Sequence, residues 1–171
     1  MRLEICTYPD PVLDKVSEPV EEITDELKEL AQNMVETMYE DRGIGLAAPQ
    51  VGENIRLICV DVSGPETREE LMIIFNPVIE EREGTAEREE GCLSVPALSV
   101  KVPRAAKIVV TGQDENGNDI RIEADDLLSC CIQHEIDHLD GKLILDSASR
   151  LKRSMYEQKV QKWLKRQKRS K

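Results

Sequence analysis

The N-terminal part of the chain contains one long segment in which apolar residues recur at helical spacing. In TDELKELAQNMVETMYEDRG, residues 24–43, leucine, alanine and methionine follow one another mainly at intervals of three and four, as they do on one face of an α-helix. Thr24 or Asp25 is a suitable N-cap, and Gly43 is a typical stop. The pattern therefore predicts a first helix over this segment.

The middle of the chain has the pattern of β-strands. IRLICVDV, residues 55–62, and LMIIFNPVI, residues 71–79, are rich in β-branched and apolar residues, and the turn-forming SGPETREE separates them. KIVVTGQDENGNDIRIEA, residues 107–124, has two such runs around turn residues 114–118, which predicts a hairpin.

Helical patterns return in the C-terminal third. DDLLSCCIQHEIDHLDG, residues 125–141, has Asp125 or Asp126 as N-cap and Gly141 as stop. A last helix is predicted to start near Ser149 and to dock on the body through Leu151, Met155, Val160, Trp163 and Leu164. Strands and helices that do not alternate regularly favour an α+β fold.

Length and composition indicate one globular domain over residues 1–171, including a basic helix or tail at 149–171. The longest apolar run, LMIIF, is too short to span a membrane, and the start MRLEICTYPD does not resemble a signal peptide. Five cysteines, an odd number without paired spacing, favour a reducing compartment. We therefore expect a cytoplasmic protein.

Charge is distributed unevenly along the chain. Residues 150–171 contain ten basic residues and one acid, a net charge of +9, so the rest of the chain carries −20 of the overall −11. Such a basic segment on an acidic body favours contact with a polyanion. A solvated helix end without a partner is the alternative, and charge alone leaves both open.

The segment CIQHEIDHLDG, residues 131–141, contains the only two histidines of the chain. His134 and His138 are four residues apart, so on a helix both imidazoles lie on one face and can bind one metal ion. Glu135 flanks them and is a candidate proton carrier. The spacing predicts a metallohydrolase that needs a third protein ligand.

Several residues are candidates for that third ligand. The pattern of metzincin proteases requires a histidine six residues after His138, where this chain has Ile144. Thermolysin-like enzymes use a later glutamate, and Glu157 follows His138 by nineteen residues, but the acid expected four residues further on is Gln161. Glu157 would make the protein a general endopeptidase, and this alternative is disfavoured.

The cysteines are the other candidates. Cys130 and Cys131 precede His134 on the same helix, where a third ligand would be crowded, and Cys6 and Cys59 lie in apolar contexts typical of buried residues. Cys92, in EREEGCLSVP, lies between a glycine and a proline on a segment that can present a thiolate from another element. Two imidazoles and a thiolate accept Fe(II), Zn, Ni or Co. Copper electron-transfer sites share these ligands but have no use for the glutamate of the motif.

Three motifs together give a family resemblance. GIGLAAPQ, EGCLS and QHEIDHLDG, in this order, closely resemble the signature motifs of peptide deformylases, and TYPDPVL and VPRA are also similar to that family. The resemblance implies an α+β fold with antiparallel or mixed sheets packed around a central helix that carries the His-Glu-x-x-His motif, and a C-terminal helix. It implies a hydrolase that removes the N-formyl group from the formyl-methionine of nascent polypeptides and releases formate.

The resemblance also implies roles for individual residues. The metal ligands are Cys92, His134 and His138, and the general acid/base is Glu135. The oxyanion stabilisers are the Gln50 side chain and the Leu93 backbone N–H. The substrate contacts are Gly45 with the peptide backbone, Ile44 and Leu127 in the methionine pocket, and Arg104 near the outer end of the substrate.

The resemblance further implies a cofactor and partners. It implies one divalent metal ion per chain, Fe(II) in the cell, with zinc often found after purification. The partners are N-formyl-methionyl polypeptides and, through the basic C-terminal helix, the ribosome; no membrane and no sequence-specific nucleic acid is expected. Arg42 and Arg88 differ from residues found in some members of the family and would lie at the rim of the site. A non-enzymatic ribosome-binding or nucleic-acid-binding protein is the remaining alternative.

Overall fold

A computed structural model describes residues 1–169 of the chain. The α-helices are α1 (Asp25–Glu40), α2 (Gly64–Thr67), α3 (Asp126–Leu139) and α4 (Arg150–Arg169). The strands are β1 (Gly45–Ala47), β2 (Leu57–Val60), β3 (Met72–Glu83), β4 (Ala86–Glu90), β5 (Val100–Arg104), β6 (Lys107–Gln113) and β7 (Asp119–Asp125). Residues 170 and 171 of the basic tail lie outside the described residues.

The strands form two antiparallel sheets. Five strands pair in the order β1-β2-β3-β6-β7, and β4 pairs with β5 in a separate two-stranded sheet. The predicted hairpin is confirmed, because β6 and β7 pair from Lys107 opposite Asp125 to Gln113 opposite Asp119. Together with the helices, these sheets give the predicted α+β fold.

Helix α3 lies at the centre of the fold. One face packs against the five-stranded sheet through the side chains of Cys131, Ile132, Ile136 and Leu139. The helix stops before Gly141, whose φ of +74° favours glycine and whose added Cβ would lie 2.5 Å from the Asp14 carbonyl oxygen. The burial of this face and the sharp stop fix the position of the histidine motif.

Helix α4 begins at Arg150, close to the predicted start, but its docked face differs from the prediction. Leu151 and Met155 are 71% and 58% exposed. The Tyr156 hydroxyl donates to the Pro96 carbonyl oxygen at 3.0 Å, which turns that side of the helix inward. The side chains that pack on the body are Tyr156, Val160, Trp163 and Leu164.

The sheet of β4 and β5 was not predicted. The sequence of β4, AEREE, is charged throughout most of its length and lacks the alternation that marks a half-buried strand. It pairs in continuous register from Ala86 opposite Arg104 to Glu90 opposite Val100. No helix within residues 1–169 is long and apolar enough to cross a membrane.

Candidate active site

A cavity of about 550 Å³ opens between the two sheets. Segment 42–45, which leads into β1, and segment 88–93, which follows from β4, both line it. Helix α3 contributes Leu127, His134 and Glu135, among others. Since β1 and β4 each have one strand partner within residues 1–169, the cleft lies between two free sheet edges.

Three candidate metal ligands meet at this cleft. The Cys92 Sγ lies 3.4 Å from the His138 Nε2, which lies 3.3 Å from the His134 Nε2. Their ligand atoms all lie within 4.8 Å of one another. Among residues 1–169, this is the one group of three or more histidine, cysteine or acidic side chains whose ligand atoms lie close enough to hold a metal ion. A tetrahedral cation with nitrogen ligands at ~2.1 Å and sulfur at ~2.3 Å would separate them by roughly 3.3–3.6 Å. The residues therefore fit a metal ion.

The two histidines have different surroundings. His138 is 1% exposed, and burial lowers its pKa well below the ordinary value, which keeps the ring neutral as a metal ligand must be. Its Nδ1 is buried and has no hydrogen-bond partner in the described part of the chain. The His134 Nδ1 lies 2.9 Å from the Glu90 Oε1. That carboxylate fixes the ring orientation and directs Nε2 to the cleft.

Arg104 supports this arrangement from the interior. Its guanidinium donates to Glu90 at 2.9 and 2.7 Å and to Asp137 at 2.5 Å, and its side chain is 6% exposed. Burial acts to raise the pKa of Glu90, but the hydrogen bonds from Arg104 and His134 outweigh it and hold that pKa below its usual value. Arg104 is not among the residues that line the cleft, so its expected place at the outer end of the substrate differs from its observed position.

Glu135 is buried beside the candidate ligands. It is 3% exposed, and its Oε1 lies 4.0 Å from the His138 Nε2. That oxygen has no hydrogen-bond partner within residues 1–169. Burial raises the pKa of Glu135 to about 7, and a cation at the ligands would act in the opposite direction. A Cβ added to Gly45 would lie 2.2 Å from its Oε2, so the carboxylate occupies space that only glycine leaves open.

Gln50 and Leu93 are the predicted oxyanion donors. Gln50 is 2% exposed, and its Oε1 accepts from the Ala47 N–H at 2.9 Å. Its Nε2 then faces the site, where it donates to the Ser94 Oγ at 3.1 Å and lies 3.6 Å from the Cys92 Sγ. Leu93 lines the cleft, and its N–H donates no hydrogen bond to the described residues.

The remaining predicted residues all line the cleft, with the exception of Arg104. Ile44, Gly45 and Leu127 line the cleft, as do Arg42 and Arg88. The structure adds residues that sequence reasoning did not assign a role, namely Glu90 behind one histidine and Ser94 beside the glutamine. The signal for both was their place in the EGCLS motif, next to the cysteine.

The alternative ligands lie elsewhere or have other partners. Glu157 accepts from the Tyr8 hydroxyl and from the Arg153 guanidinium, both at 3.3 Å, and is outside the candidate metal cluster. Cys131 is buried, and its Sγ donates to the Ile44 carbonyl oxygen at 3.5 Å. Cys6 is only partly buried, which differs from the expectation of a buried residue.

Comparisons with known proteins are consistent with this geometry. A family model described as polypeptide deformylase matches residues 2–154. A peptide deformylase of Thermodesulfovibrio yellowstonii is 50% identical over 157 residues, which cover 92% of this chain and 95% of the relative. One of Desulfotalea psychrophila is 48% identical over 162 residues, 94% of this chain and 96% of the relative.

Solved structures give the same result for the fold. The crystal structure of a peptide deformylase from Legionella pneumophila is similar with a TM-score of 0.91 and 42% identity, over 99% of both chains. A peptide deformylase from Synechococcus elongatus, in complex with actinonin, is similar with a TM-score of 0.84 and 40% identity. That match covers 92% of this chain and 85% of the other.

Proposed function

The chain belongs to the polypeptide deformylase family, and from this premise we propose how its residues carry out the reaction. The protein is a hydrolase that removes the N-formyl group from the formyl-methionine of nascent polypeptides, with release of formate. The observation that carries the assignment to this cleft is the approach of Cys92, His134 and His138 within 4.8 Å, beside the buried Glu135.

Cys92, His134 and His138 would hold one divalent metal ion. When bound, the ion supplies Lewis-acid chemistry, since it acidifies water and polarises the formyl carbonyl. We propose Fe(II) as the ion in the cell, with Zn, Ni or Co as alternatives, because a thiolate and two imidazoles accept all of them. The hydrogen bond between Glu90 and His134 keeps one ligand oriented before the ion binds.

Glu135 would carry the proton. Its buried carboxylate takes a proton from the attacking water and then gives it to the departing amine of the methionine. Its free Oε1 supports this role, because no hydrogen bond from residues 1–169 competes for that oxygen. The cleft provides a path for substrate to reach it.

Gln50 and Leu93 would stabilise the negative charge that develops on the formyl oxygen. The hydrogen bond from the Ala47 N–H to Oε1 holds the Gln50 amide so that Nε2 is presented to the cleft. The unpaired Leu93 N–H, which has no acceptor in the described part of the chain, is the second donor. Removal of one such donor typically costs about 3–4 kcal/mol of transition-state stabilisation.

The substrate would bind as an extended strand. The free edge of β1 offers the backbone of Gly45 for pairing with the peptide. Ile44 and Leu127 offer apolar surface for the methionine side chain. Backbone pairing positions the formamide, and the apolar wall selects the first residue.

The test is formate release from a formyl-Met dipeptide by protein purified without oxygen, together with metal analysis. We expect about one metal ion per chain, formate release, and loss of activity when a chelator removes the ion. Glu135→Ala is the matched control, since it should keep the ion and lose turnover. A protein with a full complement of metal that releases no formate would contradict the proposed function.

The exposed basic side of α4 would contact the ribosome. Lys162, Lys165 and Lys168 are exposed, whereas Tyr156 and Val160 are buried in the core. Deletion of the whole helix would therefore disturb the fold, and substitution of the three lysines by glutamine is the cleaner test. We expect weaker, less salt-dependent binding to ribosomes. The control removes the same charge from the body at Lys28, Lys107 and Lys142 and should bind normally.

We also propose that residues 1–171 act as a single catalytic domain in the cytoplasm. The cleft takes residues from both sheets and from α3, so each part is required for one site. An odd number of cysteines without paired spacing supports a reducing compartment. No role in sequence-specific nucleic-acid binding is proposed.

A further inference from the structure

Two arginines lie at the mouth of the cleft. Arg42 is the first residue of segment 42–45, which leads into β1, and Arg88 lies on β4, four residues before Cys92. Both side chains line the cavity and both residues are solvent-accessible. They belong to the two segments, 42–45 and 88–93, that line the cleft, on a chain whose net charge is −11.

The charges of these arginines are available to a ligand. Arg42 pairs with Glu66 at 3.0 Å, but the two side chains are 71% and 81% exposed, and such a pair exchanges readily with a competing carboxylate. Arg88 makes no ion pair with residues 1–169. The neighbouring acid, Glu89, accepts from the Ser99 hydroxyl at 2.5 Å.

The backbone of Arg42 gives a second reason to assign it a role. It follows α1 with a φ of +60°, in the left-handed region where helices usually place glycine or asparagine. A long side chain there is unfavourable for the fold alone, and non-glycine residues in this conformation are often found at functional sites. The conformation directs the chain from α1 into the wall of the cleft.

The distance between the formyl end of a bound substrate and the two arginines identifies which substrate residues lie beside these arginines. Arg42 is three residues from Gly45, which corresponds to roughly 10 Å of extended chain. A peptide with its formyl group at Glu135 and its methionine against Ile44 therefore brings its next two or three residues between the two arginines.

We propose that Arg42 and Arg88 give this enzyme a preference for substrates with aspartate or glutamate in the first three positions after the methionine. The inference rests on the proposed deformylase function and adds a substrate class to it. Carboxylates at these positions meet guanidinium groups from both segments, whereas lysines meet like charges. The preference is electrostatic and therefore weakens with salt.

The experiment compares kcat/KM for three amidated peptides of equal length: formyl-Met-Glu-Glu-Ser, formyl-Met-Gln-Gln-Ser and formyl-Met-Lys-Lys-Ser. At low ionic strength we expect the Glu peptide to exceed the Gln peptide by about three- to tenfold, and the Lys peptide to be the poorest. In the double variant Arg42→Gln/Arg88→Gln, the ratio of kcat/KM for the Glu peptide to kcat/KM for the Gln peptide should fall to about one. Because the ratio is taken within each variant, a change in overall rate does not affect it.

Arg121→Gln is the control, since Arg121 is an exposed arginine on β7 that lies away from the cleft. It removes the same type of charge and should keep the wild-type ratio. A wild-type ratio near one, or a ratio that persists in the double variant, would overturn the proposed preference while the Gln peptide still reports deformylase activity. Absence of formate from all three peptides would instead refute the proposed function and the preference with it.

Discussion

Substitution of Gly45 by alanine should damage catalysis through Glu135. The added Cβ would lie 2.2 Å from the Glu135 Oε2, 2.9 Å from its Cδ and 3.0 Å from the Cys131 Sγ. An ordinary contact needs about 3.4 Å or more, so the carboxylate has to move by roughly 1 Å. Glu135 is 3% exposed, so it has little room in which to move without leaving the candidate ligands.

The expected size of the effect follows from that displacement. A misplacement of about 1 Å in a catalytic group costs on the order of a hundredfold in rate, or about 2.7 kcal/mol in the activation barrier. The loss should fall mainly on kcat, because alanine keeps the backbone groups of residue 45 that bind substrate. Overpacking should also lower the free energy of unfolding by about 1–3 kcal/mol. The metal content should be unchanged, since none of the three ligands is displaced.

Two controls separate this explanation from a general disturbance of the cleft. Gly43→Ala introduces a Cβ 3.4 Å from the Leu93 Cδ1 and 3.6 Å from the Met38 carbonyl oxygen, which are ordinary contacts, so it should lose less than about threefold in kcat/KM. On the residual activity of Glu135→Ala, Gly45→Ala should cause no further loss, because both act through one carboxylate. Independent, multiplicative losses, or near-normal activity of Gly45→Ala with full metal content, would refute the reasoning.

Three further predictions concern the metal, its support and the fold. Cys92→Ala should lose the bound metal on dialysis whereas Glu157→Ala should retain it, and elemental analysis that shows the reverse would restore the thermolysin-like alternative. Glu90→Gln should weaken metal affinity by about 10–100-fold in competition with a chelator, and equal affinity would show that the carboxylate does not orient its histidine. Tyr39→Phe removes a 2.5 Å hydrogen bond to the fully buried Asp61, so urea unfolding should show a loss of about 1.5–3 kcal/mol; a change under about 0.5 kcal/mol would contradict this account.

The elements that the sequence predicted well are those whose pattern reflects burial on one face. Helix α1 and the hairpin of β6 and β7 have clear periodicity and clear turn signals, and both are confirmed close to their expected bounds. Helix α3 was also predicted, because its caps and its histidine spacing agree with a single helix. The local sequence pattern is sufficient to predict an element when its own apolar residues determine which face is buried.

The prediction failed where exposure depends on a partner distant in sequence. The strand β4 is stabilised by pairing with β5 and has little apolar alternation of its own. On α4, Leu151 fits an apolar stripe as well as Tyr156 does, and the docked face is selected by contacts with the body, such as the hydrogen bond from Tyr156 to Pro96. Neither contact leaves a signal in local spacing.

The candidate site divides in the same way. The i and i+4 spacing predicted two ligands, and the contexts of the five cysteines favoured Cys92 as the third, in agreement with the family resemblance. The structure brings the Cys92 Sγ to 3.4 Å from the His138 Nε2. Arg104 was expected at the substrate but lies in a buried ion network, because an arginine in the sequence does not reveal which carboxylates it will meet. The space that Gly45 leaves for Glu135 is likewise visible only in three dimensions.

The free edge of β1 has a consequence for the timing of the reaction in the cell. A peptide that pairs with this edge must be extended, and its backbone groups must be free of hydrogen bonds to the rest of its own chain until it binds. A chain whose first residues have already entered a helix or a sheet cannot meet that condition. Deformylation therefore competes with folding of the new protein, and the time available for it ends when the N-terminus acquires structure.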